Sequence, residues 1–174
     1  MRYKNSILVC ALVLQYGLTC EKGPLSPPFP SMPFYFNSFE SADDANGWNG
    51  VEENMFVEDP APNSGKQSLH IGGGCIQPTA WKVFPKAEAD ARYALSCWGK
   101  IDQENQSGEV VLMLDGDERF SSETVLSVNS REWTFYGSEK SLFCPKGRSL
   151  RLEFRVGGII FASMAIDVLT VERL

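Results

Sequence analysis

A single histidine, His70, stands among 174 residues, and it sets an early limit on chemistry. It lies out of phase with Leu69 and Ile71, so it is expected to face solvent or a loop. No nucleophile motif surrounds it, which leaves a Ser-His-Asp relay without support. Long apolar runs are also scarce: Ile7 to Leu14 is too short for the roughly 20 residues of a membrane-spanning helix, and no later stretch approaches that length. Clustered positive charge is missing. The chain has 16 Lys and Arg against 22 Asp and Glu, with the basic residues scattered among acids, which excludes a nucleic-acid partner. Gly72-Gly-Gly74 lacks the Lys-Ser/Thr and helix of a phosphate loop, and Asp115-Gly-Asp117 lacks the remaining acids of an EF-hand, reading instead as a hairpin turn. The adjacent acids Asp43-Asp44 and Glu52-Glu53 diverge from each other and read as solvated surface rather than a glycosidase pair. No catalytic residue is expected, and the chain is not expected to be an enzyme.

What is present begins with an export signal. Arg2 and Lys4 precede the apolar core, and residues 1–19 read as a signal peptide. Leu18-Thr19-Cys20 resembles the lipobox of bacterial lipoproteins, which implies that Cys20 is the lipidated first residue after cleavage. It departs from the usual motif at Gly17 and Thr19, where a Leu and a small residue are customary, and cleavage by an ordinary signal peptidase is the alternative. Loss of Arg2 and Lys4 leaves 14 basic against 22 acidic side chains, net −8. Residues 20–33, with five prolines between Glu21 and Pro33, favour an extended tether. The expected address is the lipid-anchored face of a cell envelope membrane, or secreted and soluble if cleavage is ordinary.

The remaining residues, 34–174, about 140, suit one domain with a proper core. Cys75, Cys97 and Cys144 fall within it, and an exported compartment permits one disulfide among them without naming the pair. None of these spacings is Cys-x-x-Cys, so zinc has little support. The first strand is expected around Phe34 to Phe39, with both faces buried, before an acidic turn closed by Trp48. Apolar segments then recur every ten or so residues with period two. Leu150, Leu152, Phe154 and Val156 alternate with Arg151, Glu153 and Arg155, the pattern of a strand with one buried and one wet face. Turn signals such as Asn46-Gly47, Asn63-Ser-Gly65 and Pro145-Lys-Gly147 separate the segments. A helical turn is expected only in Lys86 to Arg92. The fold class is all-β, an antiparallel β-sandwich.

Taken in order, Phe39-Glu40, Gly47-Trp48, Ser64-Gly-Lys-Gln-Ser-Leu69, Tyr93-Ala-Leu-Ser-Cys-Trp-Gly-Lys100, Glu132-Trp133, Arg151-Leu-Glu-Phe-Arg155 and Ile166-Asp167 resemble the carbohydrate-binding-module type of galactose-binding-like jelly roll. The resemblance implies a structural calcium held by Glu40, Asp167 and a backbone oxygen near Lys66. The chain departs from that pattern at Val168, where many relatives carry a second Asp or Asn. A hard cation takes 6 to 8 oxygens, which carboxylates and loop carbonyls supply; without metal, both acids would cap loop amides. The resemblance also implies sugars stacked on exposed aromatic rings. Trp48, Trp98 and Trp133 are expected to pack in the core, leaving Trp81 and Tyr136 as candidate ligand-binding residues. Trp81 shares a face with Val83, and Lys82 with Phe84, so a preference of Lys82 for water would turn Trp81 inward. Two function classes stay open: a glycan-binding module at the envelope, and a structural or adhesive surface lipoprotein that holds a protein partner.

Overall fold

Alternating side chains on a strand point to opposite faces, so a segment such as 150–156 buries every second residue only if it lies in a sheet covered on one side. The computed structural model of the chain describes residues 33–72, 80–104, 106–116, 122–157 and 162–174. Its strands are β1 (Tyr35–Asn37), β2 (Phe56–Val57), β3 (Ser68–Gly72), β4 (Ala80–Val83), β5 (Ala91–Ile101), β6 (Ser107–Leu114), β7 (Glu123–Val128), β8 (Thr134–Gly137), β9 (Leu142–Cys144), β10 (Leu150–Gly157) and β11 (Ser163–Arg173). They form two antiparallel sheets. One has seven strands ordered β2-β3-β11-β5-β8, with β1 also on β11 and β9 also on β5; the other has four, ordered β4-β10-β6-β7.

The two sheets close over one core. Leu150, Leu152, Phe154 and Val156 of β10 meet Tyr93, Leu95 and Cys97 of β5 and Ile166 of β11, all buried. Trp48 stacks on Phe154 with ring centroids 4.7 Å apart, and Phe39 lies 6.3 Å from each of them. This aromatic stack ties the turn after β1 to the four-stranded sheet. The long strands β5 and β11 form the spine of the larger sheet, and their register shifts between Asp167 and Thr170. Val168 sits at that shift with φ of +48°, a left-handed conformation that a β-branched residue adopts only under constraint.

Several expectations are corrected. The segment 86–92 forms no helix: Ala87 N–H donates to Arg148 O, Gly147 N–H to Ala87 O and Lys146 N–H to Asp90 Oδ1, and β5 starts at Ala91. So short a segment cannot repay helix nucleation, and these bonds to the 145–148 turn take its place. The first strand buries one face only, since Phe36 is 54% exposed while Tyr35 packs on the core and accepts a bond from Trp48 Nε1. Trp98 and Trp133 are half-buried outside the core cluster. Trp98 lies edge-on to Phe135, and Trp133 lies under Lys100 Nζ at 5.1 Å. Asp44 does more than face water, its Oδ2 accepting the N–H groups of Glu40 and Ser41.

Cys97 and Cys144 are buried free thiols, the former pushed up to about 12 by burial. Cys144 pairs with Ala91, six positions along β5 from Cys97. At about 3.3 Å per residue that is roughly 20 Å, far beyond the ~7 Å reach of a disulfide, so these two cannot bridge. Cys75, the signal segment and Cys20 lie outside the described residues.

Candidate functional site

Two places collect the chemistry. The first is a pair of carboxylates beside the 58–67 loop, Asp167 fully buried and Glu40 half-buried. Asp167 is fully buried and lies on the outer side of the seven-stranded sheet. Its Oδ2 accepts Ala61 N–H at 2.9 Å and the Ser64 hydroxyl at 2.5 Å, while Oδ1 accepts Val168 N–H at 2.7 Å. Glu40 enters from the end of the β1 segment, where Oε2 accepts Lys66 N–H at 2.8 Å. Its Oε1 is buried with no hydrogen-bond partner among the described residues. A Cβ on Gly65 would collide with the Glu40 carboxylate, so glycine at 65 makes the cradle. Burial pushes the Asp167 carboxyl above the usual range; its three donors pull the other way, and the charge of Glu40 adds to the rise.

The donor set fits a hard cation. A carboxylate has about four lone-pair positions; after the bonds above, Oδ1 of Asp167 and both oxygens of Glu40 retain capacity, and no cationic side chain neutralises the pair among the described contacts. Glu40, Asp167 and loop oxygens would hold calcium here. Lys66 meets Glu40 through its N–H. The loop is anchored further back as well: Asp59 binds Lys100 Nζ at 2.5 Å, faces His70 Nε2 at 3.6 Å, and accepts the Ser68 hydroxyl at its carbonyl. The Lys100 bond holds the Asp59 carboxyl below the usual range. His70 therefore faces the loop, half-buried, and burial lowers its pKa.

The second place is the outer face of the four-stranded sheet. Residues directly opposite on paired strands share a face, and Trp81 pairs with Glu153, Glu153 with Val111, and Val111 with Val125. Val83, Arg151 and Met113 form the next row, and Arg155 and Glu109 the row on the other side. Trp81 thus looks outward, away from the core side where Ala80 and Phe154 meet. Lys82 resolves the competition seen in the sequence by running its stem along the sandwich edge, its Nζ donating to Asn46 O at 2.7 Å and lying 5.5 Å from the Tyr35 ring. The backbone of Trp81 is fixed from both sides, by Glu153 and by a two-bond bridge to Asn49 at 2.8 and 3.0 Å.

Around Trp81 the charges are arranged by Glu153, whose side chain is 7% exposed. Its Oε2 accepts Arg155 Nε at 3.0 Å and forms an ion pair with one terminal nitrogen at 2.8 Å, and Oε1 lies 2.6 Å from Arg151 Nε, off the axis of a hydrogen bond. Arg155 also faces Glu123 and Glu109 at 3.7 and 4.0 Å. The Arg151 guanidinium lies 5.2 Å from the centre of the Trp81 ring. Glu153 and the two arginines are the residues that sequence reasoning left out of the site; the signal was Arg-x-Glu-x-Arg on the wet face of one strand.

Tyr136 is elsewhere. It lies in β8 of the other sheet, opposite Cys97, with its hydroxyl accepting the N–H groups of Asn129 and Ser130 at 3.2 and 3.1 Å. It lines a cleft of about 520 Å³ between β7 and residues 137–140. The structure does not bring Trp81 and Tyr136 onto one surface. The seven-stranded sheet has exposed rings of its own, Phe36, Phe135 and Phe143.

No protein-family model matches the chain, and no curated protein matches it. Solved structures do. The C-terminal family 22 carbohydrate-binding module of Clostridium thermocellum Xyn10B matches at TM-score 0.56 and 11% identity, over 84% of this chain and 96% of that one. The xylan-binding CBM22-1 domain of Paenibacillus barcinonensis Xyn10C matches at 0.56 and 15%, over 82% and 95%. The CBM22-1 and GH10 modules of the Clostridium thermocellum xylanase Xyn10B, in complex with xylohexaose, match at 0.55 and 16%, over 81% of this chain and 28% of that one. At these identities the likeness shows the fold: a β-sandwich of the carbohydrate-binding-module type.

Proposed function

We propose that this chain is an exported, non-catalytic glycan-binding protein, anchored to the cell envelope by lipid on Cys20, and that it binds through the outer face of the four-stranded sheet. The observation that carries the reading is Trp81, outward-facing, fixed by backbone pairing on both sides, and bordered by the Arg151, Glu153 and Arg155 cluster. A flat ring supplies apolar contact to a sugar, and fixed polar groups beside it supply hydrogen bonds to hydroxyls. The solved structures that share the fold include xylan-binding domains, which supports the same class of ligand. Glu40, Asp167 and a backbone oxygen near Lys66 would hold a structural calcium, whose charge lets the two neighbouring acids coexist. This site braces the 58–67 loop and takes no part in binding sugar.

A glycan array probed with the full chain, followed by titration of a positive glycan against Trp81→Ala, tests the reading. Binding weakened about tenfold or more, equal to ~1.4 kcal/mol, at an unchanged melting temperature supports it; no binding to any glycan, or equal binding by the folded variant, overturns it. The second reading, a surface lipoprotein that holds a protein partner, is favoured by Phe36, Phe135 and Phe143, exposed by 54%, 56% and 44% on the outer face of the seven-stranded sheet. Exposed rings of this kind suit a protein interface.

A further inference from the structure

Arg151 is the less committed of the two arginines on the outer face of the four-stranded sheet. Arg155 has three acids around it, Glu153, Glu123 and Glu109. Arg151 has one, Glu153, which it meets through Nε. Among the described residues its two terminal nitrogens have no hydrogen-bond or ion-pair partner, although the side chain is 26% exposed. The guanidinium is held in place from behind by Glu153 and lies over the Trp81 ring, 5.2 Å from its centre, and its flanking neighbours across the sheet, Val83 and Met113, carry no charge. A fixed guanidinium with its terminal pair of donors unused matches the two oxygens of a carboxylate, which a neutral hydroxyl cannot satisfy in the same two-pronged way.

We infer that Arg151 is a specificity-determining residue of this face and that it receives the carboxylate of a uronic acid unit while Trp81 holds a neighbouring sugar ring. The inference rests on the glycan-binding reading and adds the ligand's charge to it. The remaining charges limit how much acid the ligand carries. Glu109 and Glu123, with side chains 42% and 40% exposed, lie on the β6 and β7 side of the same face and repel a polymer charged at every residue. The fitting ligand is a neutral backbone that bears occasional uronic acid branches, with the branch directed to the β4 and β10 edge.

The test compares three polymers on the full chain by titration calorimetry: xylan with glucuronic acid branches, the same polymer after reduction of its carboxyl groups, and polygalacturonate. Wild type is expected to bind the branched polymer about tenfold or more tighter than its reduced form, as one charge-assisted bidentate contact allows, and to bind polygalacturonate more weakly than the branched polymer. Arg151→Gln is expected to bind the branched and reduced polymers equally, and Arg151→Lys, which keeps the charge and loses the fork, to recover only part of the preference. Both variants are expected to fold, since Glu153 keeps Arg155 as its partner, and thermal melts check it. Equal binding of branched and reduced polymers by wild type, a preference that survives in Arg151→Gln, or tightest binding of polygalacturonate overturns the inference and leaves the glycan-binding reading standing. Failure of all three polymers to bind, together with a blank glycan array, removes that reading as well.

Discussion

The fate of individual side chains depends on partners far away in sequence, and Asp167 shows it best. An acid in an apolar strand context reads as a candidate ligand, but its partners Ala61 and Ser64 are more than 100 positions away, and nothing local announces them. Because Asp167 is buried, its folded pKa lies above the unfolded value of about 3.9. The neutral acid is then the form that the fold prefers, so in chelator Asp167 contributes stability that is complete below that value and lost as pH rises through the raised pKa. Melting temperature in chelator should fall with rising pH more steeply for wild type than for Asp167→Asn. Calcium at 100 times its dissociation constant should return about 2.7 kcal/mol at neutral pH. Superimposable melts with chelator and with calcium would remove the cation from the account. Trp81 and Lys82 teach the same lesson in reverse. Facing alternation was legible, but which face was wet was not, because the amine of Lys82 finds a carbonyl at Asn46 along the sandwich edge.

At the scale of elements, period-two alternation carried most of what could be known. The facing of strand 150–156 was legible, since Leu150, Leu152, Phe154 and Val156 form the inner row and Arg151, Glu153 and Arg155 the outer, but the wet face expected for that outer row fails at Glu153, which is buried between the two arginines. The short β9 was not, because three residues hold too little alternation to stand out, and its pairing with β5 is settled by the long partner strand. The helical expectation at 86–92 failed because alanine-rich propensity is a weak prior beside tertiary hydrogen bonds. Tyr136 shows an element held by one side chain: its hydroxyl closes the connection between β7 and β8. Tyr136→Phe leaves two amides without that acceptor and should cost about 1 to 2 kcal/mol in chemical denaturation while glycan affinity is unchanged. A loss of affinity in the folded variant would move the binding surface toward the cleft beside β7.

For the molecule as a whole, the fold class was legible and the topology was not. Strand spacing and turn residues announce a sandwich, whereas the order β4-β10-β6-β7 joins strands distant in sequence and follows from long-range packing. The proposed binding face was half legible. An aromatic platform was expected, but the charged cluster beside it emerges only when β4 and β10 pair. The proposed address rests on Leu18-Thr19-Cys20 and the proline-rich segment after it. Cys20→Ser should shift the protein from the membrane to the soluble fraction of fractionated cells, and the intact mass of the native protein should include acyl chains; a native mass without them makes the protein soluble and exported.

The four tryptophans report on four different places: Trp48 in the core, Trp81 on the four-stranded sheet, Trp98 half-buried on the seven-stranded one, and Trp133 half-buried just before β8, under Lys100. Their indole N–H signals in a proton–nitrogen NMR spectrum, assigned by single Trp→Phe variants, give the most direct test of where a glycan sits. Titration of the full chain with a bound oligosaccharide should shift and broaden the Trp81 signal and leave those of Trp98 and Trp133 in place. Shifts at Trp98 or Trp133 with Trp81 unmoved would contradict the assignment of the binding surface.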